Sequence, residues 1–160
     1  MVAKEPRMKH KAFALAALLL ILASILFLYY ARDNRHFSCL AQYHVQNEGA
    51  RANVLMRFIF NGPSGLVAVD GEFVNAAGRH KIISRKILFE VERANDHYLL
   101  TSKAIIPSAF DEADNVALSR LLDSFYTHGN RPAQYQIHHN GKGGYVFMSG
   151  NVPVMFCAGS

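Results

Sequence analysis

Residues 36–74, HFSCLAQYHVQNEGARANVLMRFIFNGPSGLVAVDGEFV, decide the fold. Phe37, Cys39, Ala41, Tyr43 and Val45 alternate with Ser38, Gln42, His44 and Gln46, and only Leu40 breaks the polar set. A period of two separates the residues onto the two faces of a strand, one of them dry. Asn47-Glu48-Gly49 then reads as a turn. The alternation resumes in Ala52–Phe60, with Val54, Met56, Phe58 and Phe60 on one face and Arg57 on the other. Asn61-Gly62-Pro63-Ser64-Gly65 breaks that run, and Leu66–Asn75 forms a third strand in which Gly71 is expected to mark a bulge or a bend.

The same grammar continues outward. Asn75-Ala76-Ala77-Gly78 turns the chain into a long strand, His80–Glu92, with Ile83, Arg85, Ile87, Phe89 and Val91 on one side. After Arg93-Ala94-Asn95-Asp96 a fifth strand runs from His97 to Ile106 and stops at Pro107. Five strands at hairpin spacing imply an antiparallel meander. From Asp111 to Tyr126 the period becomes helical, with Ala113, Val116, Ala117, Leu121, Leu122 and Phe125 on one face. Ser108 or Asp111 is the expected N-terminal cap, and Gly129 stands where a C-terminal glycine belongs. Ala133–His139, Tyr145–Ser149 and Pro153–Cys157 return to strand, the first two joined by the loop Asn140–Gly144. The reading is a mainly β (α+β) domain of about eight strands and one helix.

Cys39 and Cys157 are the two cysteines and stand at opposite ends of this domain. In an oxidising compartment they have one intramolecular pairing available; free thiols or a bridge to another chain are the alternatives. If they pair, the first and last strands are neighbours, and the meander closes into a lipocalin-like barrel.

Upstream, Ala12–Tyr30 (AFALAALLLILASILFLYY) is nineteen residues without a charge. At about 1.5 Å per residue such a helix spans a hydrocarbon core of roughly 30 Å. Lys4, Arg7, Lys9 and Lys11 precede it, which favours a cytoplasmic N-terminus, and Tyr29 and Tyr30 suit the outer interface. A cleaved signal peptide has the same basic start, but the run is long for one and its exit is bulky. His36-Phe37-Ser38 before Cys39 does not suit a lipoprotein signal. The expected plan is a cytoplasmic tail at 1–11, a transmembrane helix at 12–30, a linker at 31–36 and a periplasmic domain at 37–160, in the bacterial inner membrane. The net charge of +5 does not signal nucleic acid. Residues 1–35 hold six Lys or Arg against two acids, and residues 36–160 hold eleven against ten. The excess belongs to the membrane flanks.

No motif announces a reaction. Of the eight histidines, His138 and His139 are adjacent on a strand and point to opposite faces, and His80, His97 and His128 sit at element ends. Ser64 occupies a plain turn. Glu90 and Glu92, about 7 Å apart on one strand face, read with Arg85 and Lys86 as an exposed charged face. Gly141-Lys142-Gly143-Gly144 lacks the spacing of a phosphate loop. The expectation is a binding protein and not an enzyme, with no catalytic, cofactor or metal set. Phe58, Phe60, Phe73, Phe89, Tyr98 and Phe147 line the barrel interior, as either a filled core or an apolar ligand cavity.

A basic N-terminus, a single anchor and a small exported β-rich domain resemble the FidL-like and ToxS-like accessory proteins of bacteria. The closing segment YVFMSGNVPVMFC, residues 145–157, is most similar to the FidL-like group of enteric bacteria. That resemblance implies a periplasmic domain that stabilises or modulates the periplasmic domain of a ToxR-like transmembrane transcription regulator. It also implies an apolar ligand such as a bile salt, bound alone or jointly with the regulator, because a distant relative forms a lipocalin-like barrel with its regulator and the pair binds bile salts. No ligand-contacting residue transfers from it.

Overall fold

The computed structural model describes residues 6–33, 36–141 and 143–159, with side chains described only from 13 to 28 in the first segment. The chain divides into two units, residues 1–35 and 36–160. The first contains α1 (Pro6–Asp33), a single helix of 28 residues that takes in the expected span. Its side chains from Phe13 to Leu28 are all exposed. Among the described residues no helix is long and apolar enough to cross a membrane. The flanks Lys4–Lys11, the pair Tyr29 and Tyr30, and Lys142 lie outside the described side chains.

The second unit is a closed antiparallel barrel of eight strands in chain order: β1 (His36–Asn47), β2 (Ala50–Asn61), β3 (Ser64–Val74), β4 (His80–Ala94), β5 (His97–Pro107), β6 (Pro132–His139), β7 (Gly144–Ser149) and β8 (Val152–Gly159). Alternation drives it: every second residue of β2 from Ala52 to Phe60 is buried while its neighbours are exposed. Glu48 and Gly49 both take positive φ, as a two-residue turn between right-twisted strands requires.

Among the described residues the first half is paired far more fully than the second. β1 meets β2 through twelve residue pairs, and β2–β3 and β3–β4 through eleven each. β5 meets β6 through five and β6 meets β7 through four. The last seam, β1 with β8, holds three pairs, Cys39–Gly159, Leu40–Ala158 and Ala41–Cys157. The expected disulfide is formed there: Cys39 and Cys157 are bonded, 5.3 Å apart at Cα and fully buried. It closes a loop of 118 residues across the weakest seam.

Several expectations are corrected. The helix Asp111–Tyr126 is broken into one turn of α-helix, α2 (Asn115–Leu118), and a 3₁₀ turn at Ser124–Tyr126. The expected apolar face is met only in part: Ala113, Leu121, Leu122 and Phe125 are buried, Val116 is exposed, and Leu118 and Tyr126, outside that face, are buried as well. The start moves because the acids before it are committed elsewhere. Asp111 receives the Arg85 guanidinium at 2.8 and 2.9 Å, and Glu112 accepts the backbone N–H of Ile82 at 3.1 Å. The cap is therefore Asp114, which accepts from Ala117 N at 2.8 Å, and Asp123 caps the 3₁₀ turn through Phe125 N. Gly129 follows that turn and does not end a helix.

Arg85 does not belong to an exposed charged face. It is buried inside the barrel, bonded to Asp111, to Asn115 Oδ1 and to Ala113 O, while Glu90 and Glu92 are exposed as expected. Gly71 marks no bulge: its register with β2 and β4 is unbroken, and a Cβ there would lie 2.1 Å from Asn53 O. The register shifts instead at Leu88/Phe89 and Phe147/Met148.

Candidate functional site

The six residues expected to line the interior are all buried. Five of them join one ring network. Phe60 lies 5.4 Å from Phe89, 5.8 Å from Tyr98 and 6.1 Å from Phe58, and Phe58 lies 5.1 Å from Phe147. Phe37 and Tyr145 cover the network at the end where β1 begins, with Phe37 stacked 4.3 Å from Phe60 and 4.2 Å from Tyr145. This part of the barrel is a packed aromatic core. Phe73 stands apart, on a cleft beside Asn47 and Arg120 at the opposite end.

The opening lies in the barrel wall. β1 runs on from Ala41 to Asn47 beyond its last pair with β8, and β8 begins at Val152, before its first pair at Cys157. Between those stretches is a cleft of about 330 Å³. Tyr43 of β1, Met56 of β2, Val154 and Met155 of β8, Ala133–Tyr135 of β6, and Leu122, Asp123 and Tyr126 by the 3₁₀ turn wall it, with Ser149 at its rim. Its size falls at the low end of small-molecule sites.

Three phenols set its polarity. Tyr126 and Tyr135 are both buried, and their hydroxyls are 3.3 Å apart. Burial, reinforced by Asp123 and Tyr43, holds the Tyr126 phenol well above its usual pKa. Tyr135 is raised for the same first cause, so both are neutral phenols at physiological pH. Asp123 Oδ1 accepts from Phe125 N at 2.8 Å, one of several acceptor positions a carboxylate offers. Among the described residues lining the cleft there is no Lys or Arg. The arrangement can hold an apolar body against Met56, Leu122 and Met155, with a polar head among phenols and one carboxylate. The sequence did not single out this set. Tyr43 is distant in the chain from Tyr126 and Tyr135, and nothing in the local pattern brings the three together.

His80, His128 and His139 stand apart from the pair His97 and His138, which share one carboxylate. His80 lies 3.3 Å from Glu72, His138 3.4 Å from Asp96, and His97 3.7 Å from the same carboxylate. His128 meets the Thr127 hydroxyl, and His139 stands edge-on to Tyr145. Among the described residues no three His, Cys, Asp or Glu converge on a metal position. Ser64 opens β3.

A second surface feature is an apolar ladder on the outside of the well-paired half. Ile59 of β2 opposes Leu66 of β3, which opposes Leu88 of β4, and Ile106 of β5 sits beside it opposite Lys86. Ile59, Leu88 and Ile106 are each more than a third exposed.

Residues 36–157 match the YqeJ C-terminal domain family. The chain is also 29% identical over 124 residues to the uncharacterized protein YqeJ of Escherichia coli (strain K12), an alignment that covers 76% of this chain and 78% of that protein. No solved structure matches the chain. The matched region takes in both cysteines and all of the barrel but the last residues of β8, and the chain belongs to the YqeJ C-terminal domain family.

Proposed function

We propose that this chain is a non-enzymatic, single-pass accessory protein of the bacterial inner membrane. Its N-terminus is cytoplasmic and its barrel periplasmic, where it binds and stabilises or modulates the periplasmic domain of a ToxR-like transcription regulator. The observation that carries this reading is the apolar ladder Ile59–Leu66–Leu88, exposed at Ile59 and Leu88 and half-buried at Leu66, of the kind that marks protein contacts. The disulfide suits an oxidising compartment. The bilayer anchor is proposed from the sequence, in which residues 12–30 carry no charge. The regulator itself comes from the resemblance to FidL-like and ToxS-like proteins.

The test is photo-crosslinking in native membranes, with a photo-reactive residue at Leu88 or, as a control, at Gln42 on another strand. A regulator adduct from position 88 and not from 42 is expected. Recovery of the protein in the soluble fraction, or the absence of any regulator adduct from 88, would sink the reading.

A second reading, direct sensing of a small apolar or amphipathic molecule, is favoured by the wall cleft at Tyr43, Tyr126 and Tyr135. Its site is that cleft and not the lumen, because Phe58, Phe60, Phe89 and Phe147 fill the lumen.

A further inference from the structure

We propose that the wall cleft is a site for small amphiphilic ammonium ions, such as alkylamines or quaternary ammonium compounds, held between Asp123 and the tyrosines Tyr43, Tyr126 and Tyr135. The inference rests on the second reading above and adds the charge of the ligand. Three observations support it.

First, the phenols come from three different elements, β1, the 3₁₀ turn and β6, and converge on one opening. Tyr43 and Asp123 are near enough to both other phenols to act on them electrostatically. Electron-rich rings gathered around a partly dry cleft favour a cation, most of all a weakly hydrated one.

Second, the charge in the lining is a carboxylate, with no Lys or Arg among the described residues there. An anionic head, such as a carboxylate or sulfonate, would meet Asp123 with no compensating cation and would lose its water shell for nothing. A bile salt has the wrong sign for this site.

Third, the remaining wall is apolar and adaptable. Met56, Met155 and Leu122 also line the cleft, and unbranched thioethers adjust to alkyl chains of different shape. A volume of about 330 Å³ suits a short chain and head group and not a full lipid.

The probe is hexyltrimethylammonium, compared with hexanesulfonate and 1-hexanol. Each is titrated by calorimetry into the full chain in zwitterionic lipid nanodiscs, with empty nanodiscs subtracted. The cation is expected to bind at least about ten-fold more tightly than the anion. Two variants locate it. Asp123→Asn keeps a competent cap for the 3₁₀ turn and is expected to weaken the cation about ten-fold. Ser149→Lys puts a positive charge on an exposed rim position and is expected to weaken the cation and strengthen the anion. Equal or tighter binding of hexanesulfonate, or a cation affinity unmoved by both variants, overturns the proposal. If 1-hexanol binds as well as the cation, the cleft is a ligand site without charge selection, and this inference alone falls. If none of the three binds, the small-molecule reading falls with it, while the regulator reading keeps its own test.

Discussion

The two halves of the barrel are built to different rules. From β1 to β5 each strand is paired with the next through ten or more residues, and the β1–β2 and β2–β3 hairpins turn in two residues. From β6 to β8 the seams hold three to six pairs, and residues 108–131, the long crossing segment between β5 and β6, stand where more strand would otherwise be. The first half is a scaffold whose register is over-determined. The second half leaves backbone unpaired, and there the wall opens into a lined cleft. A barrel can form a site without hollowing its core by letting one seam run short.

The sharpest way to break this contrast is to cut the staple on the short seam. Three residue pairs join β1 to β8, so closure there depends on the Cys39–Cys157 bond. Cys39→Ser with Cys157→Ser frees a loop of 118 residues in the unfolded chain. The chain-entropy relation puts the loss at about 4–5 kcal/mol. Urea unfolding of the full chain with and without reductant measures it. A loss below about 1 kcal/mol would mean that the seam is held by something other than the bond.

Next is the tie that fastens the crossing segment to the scaffold. The side chains of Arg85 and Asp111 are almost fully buried, and the guanidinium also bonds Asn115 and Ala113 O. Arg85→Met leaves Asp111 buried without its partner and is expected to cost about 3–4 kcal/mol. The double variant Arg85→Met, Asp111→Leu removes both charges and should recover most of that loss, since apolar replacement of a buried pair is often neutral. A double variant as unstable as the single would show that the segment needs the pair's directionality.

This tie also shows where the sequence was legible. Alternation in β1 to β5 told inside from outside almost residue by residue, because each hairpin fixes its own register and one slip would invert every side chain. Arg85 was placed on the face with Ile83, Ile87 and Phe89, yet its charge argued for solvent. Its partner lies 26 residues on, beyond the reach of any local pattern. The helix at 111–126 failed for the same reason. Its apolar residues were buried only in part, with Val116 left exposed, and its first acids were bonded to β4, which no propensity reports. The disulfide and the closure it implied were legible, because two cysteines leave one pairing. The cleft was not, because it exists only where two strands distant in sequence diverge.

A smaller effect separates close packing in the scaffold from slack at its edges. Gly65 lies beneath the Phe89 ring, and a Cβ there would sit 2.3 Å from two ring atoms and 2.8 Å from Ile59 O. Gly65→Ala is expected to cost about 2 kcal/mol, as overpacking of a tight core does. The contrasting position is Ala158 on β8, exposed at the short seam, where Ala158→Ser should shift the urea midpoint hardly at all. Equal effects at the two positions would erase the packing difference between the halves.

The smallest expected effect tests the crossing segment from its own capping chemistry. Asp114 accepts the Ala117 N–H at 2.8 Å and faces Lys81 Nζ at 3.5 Å. The backbone bond first, and then Lys81, hold its carboxyl below the usual aspartate pKa. The folded-state pKa is the lower one, so the unfolded chain binds the proton more readily. The stabilisation is then complete above the ordinary aspartate range and disappears as the pH falls through and below it. Asp114→Ala removes the cap and should cost about 1 kcal/mol at neutral pH. Asp114→Asn keeps a capping oxygen, so it should cost less at neutral pH and lose only the pH-dependent part. If the aspartate protein and the Asn variant unfold in parallel from pH 7 down to pH 3, the α2 cap contributes through its oxygen and not through its charge. The approach of Lys81 to Asp114 would then add nothing to the fastening of this segment.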